Sequence, residues 1–195
     1  MSIMNGKNAV GIDLDDTIAD FTSAWLKVLE REKGIKLRER NIIQWEVENL
    51  LGGAVDRQDI ENLFSKTWSE ESENIKLLDR RIPKIIDRIR TRAPVYIITA
   101  AKATDRRIRE WLDVKQVKYD RLIHVRNHDE KLLKTVSIYV DDNPYAAKFA
   151  LAGKYVIIFS KPWNATIRFT KQVIRAKSWG EVEQKVLQLI DTLQR

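Results

Sequence analysis

The run GIDLDDTIAD, Gly11–Asp20, sets three carboxylates, Asp13, Asp15 and Asp16, directly behind the apolar stretch Ala9-Val10-Gly11-Ile12. A short uninterrupted apolar run reads as a buried strand, here Asn8–Asp13. Ending such a strand in neighbouring acids is unfavourable, because like charges oppose one another's ionisation. A cation or a reaction is the usual compensation.

Downstream of this stretch the period turns helical. Phe21, Trp25, Val28 and Leu29 share one face, and Gly34 stops that helix. Asn41–Leu51 reads as a second helix closed by Gly52-Gly53, and Asp56 as the N-cap of a third running through Ile60, Leu63, Phe64 and Trp68. Ile82, Ile85, Ile86 and Ile89 mark a fourth, with Pro83 in its first turn. The stretch APVYIITA (93–100) is then a strand and ATDRRIREWL (103–112) a helix opened by Thr104 or Asp105. Strands are expected at 120–125, 136–142 and 154–160, with a short helix at 143–153 closed by Gly153. A final helix runs from Ser178, with Val182, Val186, Leu189, Ile190 and Leu193 on one face.

Apolar strands alternating with helices imply a parallel sheet covered on both faces. The expected class is α/β, a Rossmann-like doubly wound sheet. The helical block is too long for an ordinary crossover, so residues 19–90 read as a helical cap inserted after the first strand. Residues 1–18 and 91–195 then form the core.

A chain of 195 residues, 44% hydrophobic, has enough apolar mass for that core and insertion. No stretch approaches the roughly 18 apolar residues of a membrane helix, and residues 1–8, MSIMNGKN, carry no apolar signal core. The cytoplasm is the expected compartment and no membrane partner is expected. Cysteine is absent, which excludes disulfides, thiolate metal sites and cysteine nucleophiles. A formal net charge of +7 favours anionic partners such as nucleotides, nucleic acid or sugar phosphates without choosing among them. Monomer and homodimer both stay open.

Ligands of a parallel α/β sheet gather at the carboxyl ends of its strands. Three expected strands end in polar groups there: at Asp13 to Asp15, at Thr99, and at Asp141-Asp142. Acids around one point require a cation, and oxygen donors without thiolates favour a hard ion such as Mg²⁺. A carboxylate beside such an ion can attack phosphorus and form an aspartyl phosphate. If the chain turns at Leu14, Asp15 can serve the leaving oxygen as general acid and then general base. Thr99 offers a hydroxyl, and the amides of Ala100 and Ala101 precede a helix start, a natural anion site. The lysine that phosphoryl transfer also needs has three candidates, Lys131, Lys134 and Lys102.

These residues resemble a known pattern. DLDDT resembles the D-x-D-x-T signature of the haloacid dehalogenase superfamily of phosphohydrolases. IITA, with Thr99, is similar to its second motif and IYVDDN to its fourth, and Lys131 precedes Asp141 at a spacing similar to that of its third-motif lysine. The helical insertion after the first motif, Phe21 shortly beyond it, FSKPWN, and the tail AKSWGEVEQKV resemble the 5'(3')-deoxyribonucleotidases within that superfamily. The resemblance implies Asp13 as nucleophile and metal ligand. It implies Asp15 as acid/base, also giving a backbone carbonyl to Mg²⁺, and Asp142 as the group completing the metal site. Thr99, Ala100 and Lys131 would hold the phosphate, with Asp141 in support and orienting Lys131. Ala100 stands where a second hydroxyl is common, and Asn143-Pro144 departs from the deoxyribonucleotidase pattern; both bear on substrate.

The resulting expectation is an Mg²⁺-dependent phosphomonoester hydrolase acting on a nucleoside monophosphate. Phe21 comes first, and Trp45 and Trp68 after it, as the surface that would stack a base. Sugar phosphates and nucleic-acid 3' ends are alternative substrates. A basic binding module with a vestigial site is the reading from another class, opposed by the joint presence of Asp13, Asp15, Thr99, Lys131 and Asp142. His124 and His128 have no task in this mechanism, and Trp163 has no assigned place.

Overall fold

In a computed structural model, which describes residues 8–194, six strands form one parallel sheet. The residues read as lacking a signal core lie, but for Asn8, outside the described residues. The strands are β1 (Ala9–Ile12), β2 (Val95–Thr99), β3 (Arg121–His124), β4 (Val136–Asp141), β5 (Tyr155–Phe159) and β6 (Val173–Ala176), in the spatial order β3-β2-β1-β4-β5-β6. This is the doubly wound order, which reverses between β1 and β4 and so opens a crevice at their carboxyl ends. Register sets Ile12 between Ile97 and Val140. Close approach in the centre of the sheet explains Gly11: a Cβ there would lie 2.7 Å from Ile98 Cδ1 and 3.0 Å from Val136 Cγ1.

The helices are α1 (Phe21–Lys33), α2 (Val47–Leu50), α3 (Arg57–Glu70), α4 (Ile82–Arg90), α5 (Asp105–Val114) and α6 (Trp179–Leu193). Asp56, Thr104 and Ser178 cap α3, α5 and α6 through their side chains. Gly34 ends α1 in the left-handed region at φ 68°, where its N–H reaches the Glu30 carbonyl. In the insertion α1 packs on α3, and the rings of Phe21 and Trp25 each meet Phe64 edge-on at 5.3 Å. The insertion returns early: Ala19 bridges to Leu77, and the Leu78 N–H donates to the Ile18 carbonyl. The isoleucine face of α4 is buried where that helix packs on α6 and β2. α4 therefore lies against the sheet beside α6.

Three local expectations change. Asn41–Leu51 is not one helix: Glu39–Asn41 is a 3₁₀ turn and α2 is a single turn. Ile42 and Val47 are buried while Ile43 and Trp45 are exposed, so no helical face forms, and the Asn41 side chain accepts from the Arg38 N–H instead. The segment Pro144–Ala152 is 3₁₀ rather than α, and its buried residues, Ala146 and Phe149, keep the three-residue spacing of that helix. β6 has no counterpart in the sequence reading, because VIRA is short and carries Arg175. Among the described residues no helix is long and apolar enough to cross a membrane.

Candidate active site

β1 delivers Asp13 to the crevice and continues its ladder there, the Asp13 N–H donating to the Val140 carbonyl at 2.9 Å. β4 delivers Asp141 and Asp142 beside it. Lys131 closes the group from the 3₁₀ turn Asp129–Lys131: its Nζ lies 2.8 Å from Asp13 Oδ1 and 3.1 Å from Asp141 Oδ2. Neither of the other candidate lysines pairs with these acids, although Lys102 lines the same cavity. Lys102 pairs with Glu61 at 3.2 Å, and Lys134 is exposed.

One carboxylate oxygen from each of Asp13, Asp141 and Asp142 lies within 4.8 Å of the others, and all three residues are buried. Burial raises the Asp13 pKa to about 6, with Lys131 opposing and Asp141 adding. Asp142 is raised well above the usual carboxylate range by burial and by the charges of Asp13, Asp16 and Asp141. Burial works against the Lys131 ammonium too, but Asp13 and Asp141 outweigh it and hold its pKa above the usual lysine value. Three sequestered acids against one ammonium, offering oxygen donors alone, suit a hard divalent cation.

The chain turns sharply after Leu14. Asp16 takes a left-handed φ of 56°, its N–H donates to the Ala19 carbonyl, and Asp15 swings toward the insertion. Asp15 Oδ2 accepts from the Trp68 indole N–H at 3.4 Å, while its Oδ1 has no partner. Burial, then the charges of Asp13 and Asp16, push its pKa well up, a shift toward the protonated form. Asp16, also in the cavity lining, caps α1, accepting from the Thr22 N–H at 3.0 Å and the Thr22 hydroxyl at 2.6 Å. Lys161 lies 3.6 Å from Asp16 and 2.8 Å from Glu39 of the insertion.

Thr99 ends β2 and is buried at the same crevice. The Ala101 amide, expected at a phosphate, donates instead to Thr99 Oγ1 at 3.0 Å, so the hydroxyl hydrogen of Thr99 is free to point outward. Ala100 lines the cavity. This cavity, of about 660 Å³, has Asp13, Asp15, Thr99 and Lys131 in its floor and Phe21, Trp25, Phe64 and Trp45 in its walls. Phe21 keeps only 4% exposure and Trp45 is half-open at 38%. Trp68 does not reach the cavity: Phe21 stacks on it at 6.1 Å and Trp111 meets its edge at 6.0 Å, so its indole is wholly buried. The expectation that Trp68 offers a stacking face is thereby corrected to a contact with Asp15. His128 also lines the cavity, stacked on Phe149, and burial lowers its pKa to about 4.

Sequence reasoning missed the groups that hold Asp142. The Thr17 hydroxyl donates to its Oδ1 at 3.2 Å and the Trp163 indole N–H to its Oδ2 at 2.9 Å. Asn164 Nδ2 bonds the Asp142 carbonyl at 2.7 Å, and Arg175 holds Asn164 in turn. Trp163 and Asn164 sit in FSKPWN, a stretch the sequence marks through resemblance alone.

The model of the family described as 5' nucleotidase, deoxy (pyrimidine), cytosolic type C matches residues 7–191. The chain belongs to that family. Its fold recurs at low identity in solved structures. A haloacid dehalogenase-like hydrolase, SP0104 from Streptococcus pneumoniae, is 14% identical over 95% of this chain and 99% of its own, with a TM-score of 0.65. The HAD-hydrolase YfnB from Bacillus subtilis, solved bound to magnesium, is 14% identical over 92% and 98%, with a TM-score of 0.57. Protein tyrosine kinase A of Mycobacterium tuberculosis reaches 0.67 at 14% identity over 92% and 98%. A likeness shared by a hydrolase and a protein named as a kinase speaks for the fold alone; the family match makes this nucleotidase-family member a phosphatase of the haloacid dehalogenase type. No curated protein matches the chain.

Proposed function

We propose that this nucleotidase-family chain hydrolyses deoxynucleoside monophosphates carrying a pyrimidine base, through a phosphoryl group carried transiently on Asp13. The observation that carries this reading is the Asp13–Lys131–Asp141–Asp142 cluster at the floor of an aromatic-walled cavity. The name of the matched family supports the substrate class.

In the first step Lys131, the Thr99 hydroxyl and the Ala100 turn hold the phosphate, and a carboxylate oxygen of Asp13 attacks phosphorus. The ester P–O bond breaks, and Asp15 gives its proton to the departing oxygen. In the second step Asp15 takes a proton from water, whose oxygen attacks phosphorus and frees Asp13. The raised pKa of Asp15 supports its starting protonated. Asp13 and Asp142, with the backbone carbonyl of Asp15, would hold Mg²⁺, and Asp141 stands beside them against Lys131. The ion supplies positive charge against the phosphate oxygens, and magnesium in YfnB supports the choice. The helices between Phe21 and Ile75 act as the cap, with Phe21 and Trp45 beside the base.

The test is phosphate release from 5'- and 3'-nucleoside monophosphates, sugar phosphates and a 3'-phosphorylated oligonucleotide, with Mg²⁺ or with EDTA. Release from pyrimidine deoxynucleotides is expected, lost in EDTA and reduced about 10³-fold or more in Asp13→Asn. Release from sugar phosphates or the oligonucleotide alone would remove the nucleotide assignment and keep the chemistry.

A further inference from the structure

His124 has no task in the reaction as derived, yet it closes the turn that follows Thr99. It is the last residue of β3 and pairs in register with Thr99 at the end of β2. Its Nε2 lies 2.8 Å from the Ala101 carbonyl oxygen, and its Nδ1 lies 2.6 Å from Asp105 Oδ1 in the first turn of α5. The ring is mostly covered, with 21% of the side chain exposed, while Asp105 is open at 61%. Three segments therefore meet on one imidazole: the turn after β2, the start of α5 and the end of β3.

Both ring partners are acceptors. A neutral imidazole carries one N–H and satisfies one of them; the imidazolium satisfies both. The ring thus ties the first turn of α5 to the Ala101 carbonyl through one side chain. The other end of Ala101 is tied as well, because its N–H donates to Thr99 Oγ1. The Val125 N–H completes the frame on the Thr99 carbonyl at 2.9 Å. A hydroxyl rotates freely unless its lone pairs are engaged. Here the Ala101 N–H engages one, and the His124 ring contacts the Ala101 carbonyl oxygen.

We propose that His124, held by Asp105, is a positioning residue for the phosphate: by fixing the Ala101 peptide it fixes the Thr99 hydroxyl and the Ala100 turn against the cavity. The proposal rests on the reading of that turn as the anion site. It does not depend on which phosphate ester is the substrate.

The test is calorimetric binding of inorganic phosphate, in Mg²⁺, to the full chain and to His124→Phe, His124→Gln and Asp105→Ala. Phosphate is a product of any phosphatase, so its affinity reads the anion site whatever the leaving group. His124→Phe removes both ring nitrogens and is expected to weaken phosphate about tenfold, the loss of roughly one hydrogen bond. His124→Gln retains an amide donor and is expected to stay within about threefold of the parent, and Asp105→Ala to fall between the two. Steady-state kinetics should move in parallel, with KM rising more than kcat falls. Phosphate affinity in His124→Phe within about twofold of the parent, or Gln as weak as Phe, overturns the proposal. If His124→Phe does not fold, Asp105→Ala decides, because that side chain is largely exposed: unchanged phosphate affinity there overturns it. Absence of phosphate binding to the parent overturns both the proposal and the anion-site reading. Phosphate binding that follows this order without nucleotide hydrolysis supports the proposal and removes the substrate assignment alone.

Discussion

Asp16 is under two opposing demands. It holds a left-handed φ that most residues avoid, and its carboxylate caps α1 from outside the helix. Asp16→Ala combines both losses and should lower unfolding free energy by about 2–4 kcal/mol, whereas Asp16→Asn, which tolerates that backbone, should cost about half as much. Urea titration distinguishes them. Burial holds the Asp16 pKa at about 6 despite Lys161 and Thr22, against a reference of 3.8. Between those values the folded chain keeps a proton that the unfolded chain releases, so this group's contribution falls as pH rises through the window. The stability advantage of the metal-free parent over Asp16→Asn should therefore be larger at pH 4 than at pH 6, read from the two thermal midpoints at each pH. Trp163→Phe deletes the donor to Asp142 Oδ2 and should weaken Mg²⁺ activation about tenfold or more, read from the metal dependence of rate. Asp13, Thr99 and Asp142 were legible because each follows an apolar strand. Trp163 and Thr17 were not, because their hydrogen bonds to Asp142 span 21 and 125 positions and leave no periodic trace.

At the scale of elements, the helices with a side-chain cap and a continuous apolar stripe were readable in advance: α3, α5 and α6. The loop between α1 and α3 was not, because its conformation answers to partners on the core. Glu39 of that loop meets Lys161, Glu46 meets the Tyr145 hydroxyl, and Glu61 of α3 meets Lys102. Glu46 and Glu61, with their partners Tyr145 and Lys102, line the cavity, whereas Lys161 in the Glu39 pair is buried outside that lining. Exposed contacts such as the first two contribute little singly, about 0–1 kcal/mol. Glu46→Gln combined with Glu61→Gln should loosen cap closure, raising KM a few-fold with little change in thermal midpoint. An unchanged KM in steady-state assays would detach these contacts from closure.

For the whole molecule, alternation of strand and helix was enough to specify a doubly wound sheet, and its reversal between β1 and β4 explains why acids distant in sequence share one crevice. Depth of burial at that crevice couples metal to stability. Ligand bound to the folded chain alone adds about 2.7 kcal/mol at a hundredfold excess over Kd, so Mg²⁺ should raise the thermal midpoint and EDTA should lower it. The central place of β1 has a further consequence during synthesis. It leaves the ribosome well before its two neighbours, Val95–Thr99 and Val136–Asp141. Trp179, whose indole N–H fastens the Thr17 carbonyl of the catalytic turn, emerges later still. A nascent chain must shelter an apolar strand with both edges unpaired until β2 emerges, and with one edge unpaired until β4 follows. Folding of this phosphatase thus waits for β4, and a ribosome stalled before β4 would present a sticky strand rather than a partial enzyme.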